Sequence, residues 1–153
     1  MQKITPFLWF DNQAAEAAKF YTEVFKGKIK DSQIVTDTPS GTIEIVTIEI
    51  LGQDFTLMSA GPLFKFTEAI SFIVDCKDQE EVDYYWEKLS AVAESEQCGW
   101  LKDKYGVSWQ IIPSRLNELT RDPDKEKAGR ATQAMLKMKK IDIAELEKAS
   151  NAS

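Results

Sequence analysis

A repeat with a spacing of 64 residues limits this chain to folds built from two similar units. Laying each residue on the one 64 positions later aligns, without a gap, two places where a strand-like apolar run passes into a helical pattern. The aligned pairs are Asp11 with Asp75, Glu16 with Glu80, Phe20 with Tyr84, Tyr21 with Tyr85, and Glu23 with Glu87. Such self-similarity indicates that one supersecondary unit is present twice.

The first copy reads as one strand, one helix and three further strands. An apolar run predicts a strand at Ile4–Phe10, and helical spacing predicts a helix at Ala14–Phe25 with Asp11 or Asn12 as its N-cap. Alternating and β-branched runs predict the three following strands. These strands are Ile29–Val35, Thr42–Ile50 and Phe55–Ser59.

The second copy repeats this order. Alternation predicts a strand over 70–74, and apolar spacing predicts a helix at Glu80–Ser90. A short strand is expected near Val92–Ser95. A β-hairpin is expected at Cys98–Pro113, with a polar turn at 103–106. Two βαβββ modules predict an α+β fold with a curved mixed sheet and one helix per module on its outer face.

The predicted domain organisation is a paired βαβββ domain at 1–115, with module one at 1–61 and module two at 67–114. A C-terminal helical extension follows at 116–153. Its predicted segments are Leu116–Thr120, Lys125–Lys140 and Asp142–Ser150. The apolar stripe of the extension is Ala131, Ala134, Met135, Met138 and Ile141. This spacing favours docking onto the body of the protein over a partner-binding helix.

Strand alternation assigns side chains to the two faces of the predicted sheet. One face packs under the helices and consists of Pro6, Leu8, Phe10, Ile70, Phe72 and Val74. The concave face consists of Thr5, Phe7, Trp9, Ala69, Ser71 and Ile73. In the hairpin, Gln110 lies on a face with Ser108 and Ile112, and Trp100 joins that face if the turn keeps an even register. A cupped face with aromatic and small polar side chains is typical of a small-molecule site.

Composition excludes several functions. A net charge of −6 argues against a nucleic-acid surface, and the lysines near 137–140 read as a solvated helix face. No apolar run reaches membrane-spanning length or makes a signal peptide, so we expect a cytoplasmic protein. The two cysteines make neither a C-x-x-C pair nor a zinc cluster. The absence of histidine removes the commonest general base and transition-metal ligand.

The chain resembles a known family at three motifs besides the repeat. They are FDNQAAEAAKFYTEVF, CGWLKDKYGVSWQIIP and the tail MLKMKKIDIAELEKA. Together they resemble the PhnB-like branch of the vicinal oxygen chelate superfamily, which includes glyoxalase I, extradiol dioxygenases and bleomycin-resistance proteins. This branch is often labelled demethylubiquinone methyltransferase-like. The resemblance implies the paired βαβββ fold and a homodimer.

The resemblance also implies four metal-ligand positions, which fall on Thr5, Met58, Ala69 and Gln110. A hydroxyl, a thioether, a methyl group and an amide do not hold a catalytic divalent ion as imidazole and carboxylate do, so we expect no metal. No glycine-rich loop follows the first strand, so an adenosylmethionine site is not expected, and we expect no cofactor. The pocket itself is expected to persist.

The sequence therefore predicts a metal-independent protein that binds a small molecule. The expected pocket residues are Thr5, Phe7, Trp9, Met58, Ala69, Ser71, Trp100 and Gln110. Gln110 needs a hydrogen-bonding partner, which is either a ligand or one of Thr5, Ser71 and a buried water. Lys102, Asp103 and Lys104 read as turn charges, although they lie at the pocket rim in the inferred fold. Cys98 reads as a weak candidate nucleophile because no cation adjoins it.

Two alternatives stay open. One is an enzyme of the same superfamily, a lyase, isomerase or methyltransferase with an unrecognised acid/base or metal site. The other is an interaction protein that works through the C-terminal helices.

Overall fold

The computed structural model describes residues 2–152. The chain divides between Phe66 and Thr67 into two compact units. Among the described residues, no helix is both long enough and apolar enough to cross a membrane.

The first unit is a mixed four-stranded sheet with one helix. Its elements are β1 (Phe7–Phe10), α1 (Ala14–Val24), β2 (Lys28–Thr38), β3 (Gly41–Ile50) and β4 (Gln53–Ser59). The strand order is β1-β4-β3-β2, with β1 parallel to β4 and the other neighbours antiparallel. The βαβββ order predicted for this copy is confirmed. Strand β1 begins three residues later than predicted, and Ile4 before it is 85% exposed.

Helix α1 covers one face of this sheet. Its alanine-rich side and Tyr21 are buried with Leu8, Phe10 and Ile48, so the alternation predicted for β1 is confirmed. The predicted N-cap at Asp11 or Asn12 is wrong: Gln13 occupies that position without a side-chain bond. The first helical N–H, that of Ala14, instead donates to Ser59 Oγ at 2.9 Å. A residue from β4 therefore caps the helix.

The second unit has a three-stranded sheet and four α-helices. Its strands are β5 (Ser71–Cys76), β6 (Trp100–Lys102) and β7 (Ser108–Pro113), in the order β5-β7-β6. Its helices are α2 (Gln79–Leu89), α3 (Ser114–Thr120), α4 (Lys125–Leu136) and α5 (Ile143–Ser150). The strand predicted near Val92–Ser95 is wrong, because Ala93–Ser95 forms a 3-10 turn. This unit is therefore βαββ followed by helices.

Burial tests the faces predicted for β5. Val74 and Cys76 are buried, and Phe72 packs on Trp109 with ring centroids 5.4 Å apart. Ile70 was expected under the helix, but it precedes the strand and is 71% exposed. Because Ile70 lies in the bend before β5, strand alternation does not fix its direction.

The C-terminal helices pack on the second unit, as their apolar stripe predicts. Ala131, Ile141 and Leu146 are fully buried in one cluster with Ile112 of β7. Helix α4 ends at Leu136, four residues before the predicted end. The carbonyls of Met138 and Lys139 then accept hydrogen bonds from the N–H groups of Cys98 and Gly99, at 2.7 and 2.8 Å. Hydrogen bonds to the segment before β6 therefore replace the last predicted turn of α4.

Candidate functional site

In the first unit, several predicted pocket side chains lie on the sheet face opposite α1. Phe7 and Trp9 alternate with the buried Leu8 and Phe10, so they point away from the helix. Trp9 pairs with Met58 of β4. Phe7 is 55% exposed, whereas Trp9 and Met58 are half-buried. The structure therefore brings Phe7, Trp9 and Met58 together on one apolar face.

Two contacts hold the Trp9 ring in place. Its indole N–H donates to the carbonyl of Gly61 at 2.8 Å. Phe64 meets it edge to face, with ring centroids 4.9 Å apart and planes at 80°. The polar edge of Trp9 is thus satisfied by backbone, which leaves the ring as an apolar surface.

Thr5 and Ala69 lie outside the strands. Thr5 is exposed before β1, where the Gln2 side chain approaches its hydroxyl at 3.5 Å. Ala69 is exposed in the turn before β5, and its N–H donates to Thr67 Oγ1 at 3.2 Å. Strand alternation therefore does not direct either side chain toward the predicted pocket.

In the second unit, the register of the sheet brings Ser71, Trp100 and Gln110 together. Trp100 pairs with Gln110 across β6 and β7, so the turn keeps the even register and both side chains share a face. Gln110 Nε2 donates to Ser71 Oγ at 2.9 Å. Ser71 is thus one partner of Gln110. An amide has two N–H groups and an acceptor oxygen, so this bond uses only part of its capacity.

A cavity of about 450 Å³ opens beside β6. Its lining is Glu68, Glu94, Ser95, Gln97, Cys98, Trp100, Leu101, Lys102 and Ser108. Lys102 pairs with Ser108 one step along the ladder from Trp100 and Gln110, so these four side chains share a sheet face. At the cavity, Lys102 Nζ lies 3.0 Å from Glu68 Oε2. Lys102, predicted as a turn charge at the pocket rim, lies at the end of β6 and lines the cavity, whereas Ser108 and Glu68 were not predicted as cavity residues.

Asp103 was predicted to be a solvated turn charge, but it is buried, with 1% exposure. One carboxylate oxygen accepts from the N–H groups of Tyr105 and Val107, at 2.8 and 3.0 Å. The other accepts from Trp109 Nε1 at 2.9 Å. The Asp at the start of a tight turn that ends in glycine is the sequence signal for such side-chain to backbone bonding.

Cys98 lines the cavity but is a poor nucleophile. Burial raises the pKa of its thiol, so the protonated form dominates near neutral pH. Its backbone has a φ of +38°, and its N–H is bonded to Met138. These features indicate a role in the cavity wall.

The residues at the four implied metal positions do not fit a divalent ion. Gln110 donates its amide N–H to Ser71, and the hydroxyl of Thr5 lies in an exposed loop. Within residues 2–152, no three Asp, Glu or Cys side chains lie close enough together to hold a metal. The chain's donor set thus differs from the ligand set that the resemblance implies.

The junction between β1 and α1 likewise does not fit a Rossmann-type adenosylmethionine site. Such a site uses a glycine-rich turn and unoccupied N–H groups at the start of the helix. Here the turn contains no glycine, and the N–H of Ala14 is bonded to Ser59.

Comparison with solved structures supports the fold. FosX, a genomically encoded fosfomycin resistance protein from Listeria monocytogenes, superposes with a TM-score of 0.56 at 16% identity, covering 76% of this chain and 94% of that one. A glyoxylase/bleomycin resistance protein/dioxygenase domain from Frankia sp. EAN1pec gives 0.54 at 12% identity, with coverages of 74% and 92%. The chain therefore has the glyoxalase/bleomycin-resistance fold.

No curated protein matches the chain. Two other comparisons, with a solved structure and with a family profile, show its family. A Bacillus cereus protein described as "Putative 3-demethylubiquinone-9 3-methyltransferase, PhnB protein" is 33% identical, with a TM-score of 0.61. The match covers 74% of this chain and all of that one. The profile of the family described as 3-demethylubiquinone-9 3-methyltransferase matches residues 2–112, which ends before the tail motif. The chain belongs to this PhnB-like, 3-demethylubiquinone-9 3-methyltransferase family.

Proposed function

We propose that this chain is a metal-independent protein that binds a small organic molecule. The observation that carries the proposal is the cavity of about 450 Å³ beside β6, on the face where Trp100 lies opposite Gln110. Small-molecule sites are concave, are typically roughly 300–1,000 Å³ in volume, and combine apolar walls with a few polar groups. The volume of this cavity lies in that range, and its lining combines Trp100 and Leu101 with polar side chains.

Trp100 lines the cavity, and Gln110 lies beside it on the same sheet face. Trp100 offers a planar apolar surface, and burial of a ligand ring against it supplies most of the affinity. Gln110, oriented by its bond to Ser71, supplies further N–H and C=O groups that fix the ligand's direction. Phe7, Trp9 and Met58 offer a second apolar face in the first unit, which we also propose for ligand contact.

Binding is better supported than catalysis. The cavity holds a thiol whose raised pKa keeps it protonated, the Glu68 carboxylate paired with Lys102, and the exposed carboxylate of Glu94. None of these is an activated nucleophile or a general base with an orienting partner. The family description names a methyl transfer, for which the β1–α1 junction provides no Rossmann-type cofactor site.

Native mass spectrometry of the gently purified protein tests the proposal. A bound organic molecule without a metal is the expected result, and the same spectrum tests the homodimer that the resemblance implies. Trp100→Ala should lose the bound molecule. Trp86→Ala on α2, which does not line the cavity, is the matched control. A stoichiometric divalent metal that is required for turnover would overturn the proposal in favour of an enzyme.

A further inference from the structure

The polar end of the cavity contains a hydroxyl that makes no hydrogen bond within the described chain. It belongs to Ser108, a residue that is 3% exposed and lines the cavity. Among the described residues, no fully buried side-chain oxygen lacks a partner, so the Ser108 oxygen is open to the cavity. A group bound in the cavity can therefore form a hydrogen bond with it.

An ammonium group shares this end of the cavity. Lys102 pairs directly with Ser108 across β6 and β7, and the Lys102 side chain is 25% exposed. Its partner is Glu68, whose side chain is 71% exposed in the segment before β5. Exposed ion pairs of this kind contribute little net stability, so another anion displaces Glu68 at little cost.

Trp100 gives the cavity an aromatic surface on the same side as Lys102. Both belong to β6 and are two residues apart, which separates their Cα atoms by about 7 Å. The indole N–H of Trp100 makes no hydrogen bond within the described part of the chain. A flat ring against Trp100 thus places a substituent near the Lys102 ammonium and the Ser108 hydroxyl.

Building on the proposed binding function, we propose that the cavity takes a planar organic anion. Its ring lies against Trp100, and its carboxylate or sulfonate accepts hydrogen bonds from Lys102 Nζ and Ser108 Oγ. Glu68 pairs with the ammonium group of Lys102 in the free protein and moves into solvent when the ligand binds. Glu94 also lines the cavity, but it is exposed, and water and salt screen its repulsion.

Three naphthalene probes that differ in charge test this inference by isothermal titration calorimetry. They are 1-anilinonaphthalene-8-sulfonate, its uncharged parent N-phenyl-1-naphthylamine, and the cationic 1-naphthylmethylammonium. The sulfonate should bind with one site per chain and about tenfold more tightly than the uncharged parent, because charge-assisted hydrogen bonds are the strong ones. Glu68→Gln should tighten sulfonate binding about twofold to fivefold by weakening the internal competitor.

Variants of the two donors should remove the preference for the anion. Lys102→Met should bring the sulfonate and the uncharged probe to equal affinity, and Ser108→Ala should weaken the sulfonate about fivefold. Lys104→Met removes the same charge from an exposed turn position that does not line the cavity, and it should leave the preference intact. Lys102→Gln is a second variant that keeps a polar side chain, and circular dichroism checks that each variant folds.

Different experimental results would contradict the anion preference and the proposed binding function. Binding of the uncharged or cationic probe at least as tightly as the sulfonate, sensitive to Trp100→Ala but not to Lys102→Met, would overturn the anion preference alone. The proposed function falls too if none of the three probes binds and the purified protein carries no small molecule.

Discussion

The indole N–H of Trp109 donates to the buried carboxylate of Asp103 at 2.9 Å, which ties the centre of β7 to the turn that precedes it. We expect Asp103→Ala to lower the free energy of unfolding by about 2–4 kcal/mol. The substitution leaves the N–H groups of Tyr105, Val107 and the Trp109 indole without their acceptor at a buried position. Urea titration followed by tryptophan fluorescence measures this change. Lys104→Ala, next in the turn but exposed, should change stability by less than about 0.5 kcal/mol. Equal effects of the two substitutions would contradict the role given to Asp103.

Gly99 and Gly129 form a pair with opposite expected outcomes. Gly99 has a φ of +91°, and a Cβ there would lie 2.9 Å from Ile112 Cδ1 and 3.3 Å from Ile111 O. Gly99→Ala should therefore destabilise the protein by about 1–3 kcal/mol. Gly129 lies inside α4 with nothing within 4 Å of an added Cβ, so Gly129→Ala should stabilise by about 0.5–1 kcal/mol. Thermal unfolding of the two variants side by side decides the sign of each effect.

The Gln110 side chain is expected to contribute more to binding than to stability. Gln110→Ala should weaken 1-anilinonaphthalene-8-sulfonate about threefold to tenfold, whereas the free energy of unfolding should fall by at most about 1 kcal/mol with the loss of one half-buried bond. Ser71→Ala is the matched variant, because it removes the same internal bond and leaves the amide in place. An unchanged affinity in Gln110→Ala would remove this residue from the site.

Because of Cys76, the free energy of unfolding is expected to depend on pH in the alkaline range. Burial, with a smaller contribution from Glu81, raises the pKa of its thiol from an ordinary 9.0 to about 12. Below pH 9 the thiol is neutral in both folded and unfolded chains, so it causes no pH dependence. Between about pH 9 and 12 only the unfolded chain ionises, and the free energy of unfolding falls by at most about 1.4 kcal/mol per pH unit.

Cys76→Ala isolates this effect from other groups that titrate at high pH. The variant should lose stability with a shallower slope than the parent above pH 9, although it is less stable at pH 7 because of lost packing. Urea unfolding at pH 7.5, 9.0 and 10.0 would show the difference. Parallel curves for the two proteins would mean that the thiol does not resist ionisation in the folded chain.

Local patterns in the sequence predict most strands of this protein and the hairpin that carries Trp100 and Gln110. The hairpin follows from side-chain alternation and from a turn rich in polar residues and glycine, which are both properties of neighbouring residues. The shared face of Trp100 and Gln110 was predicted only on the condition of an even register, which the structure shows. The early end of α4 does not follow from such patterns, because carbonyls of 138–139 bond to N–H groups about 40 residues earlier in the chain. Local propensity carries no information about that pairing.

The candidate site divides in the same way. Trp100, Gln110 and Ser71 were predicted from strand parity, and the register places them together. The ion pair of Lys102 with Glu68 joins residues 34 positions apart, one of them in an irregular segment with no strand period to read. Asp103 was misread because a charged residue in a turn is usually solvated. The turn sequence signals its bonds to backbone N–H groups, but only the fold shows its burial and its bond to Trp109.

The cavity wall is anchored to the tail of the chain. The side-chain amide of Gln97 and the backbone N–H groups of Cys98 and Gly99 donate to the carbonyls of Leu136, Met138 and Lys139, which all lie beyond the last residue matched by the family profile. Gln97 and Cys98 line the cavity, whereas none of the three tail residues does. A substitution in 136–139 that moves these carbonyls should therefore change what the cavity accepts, although none of those residues lines it.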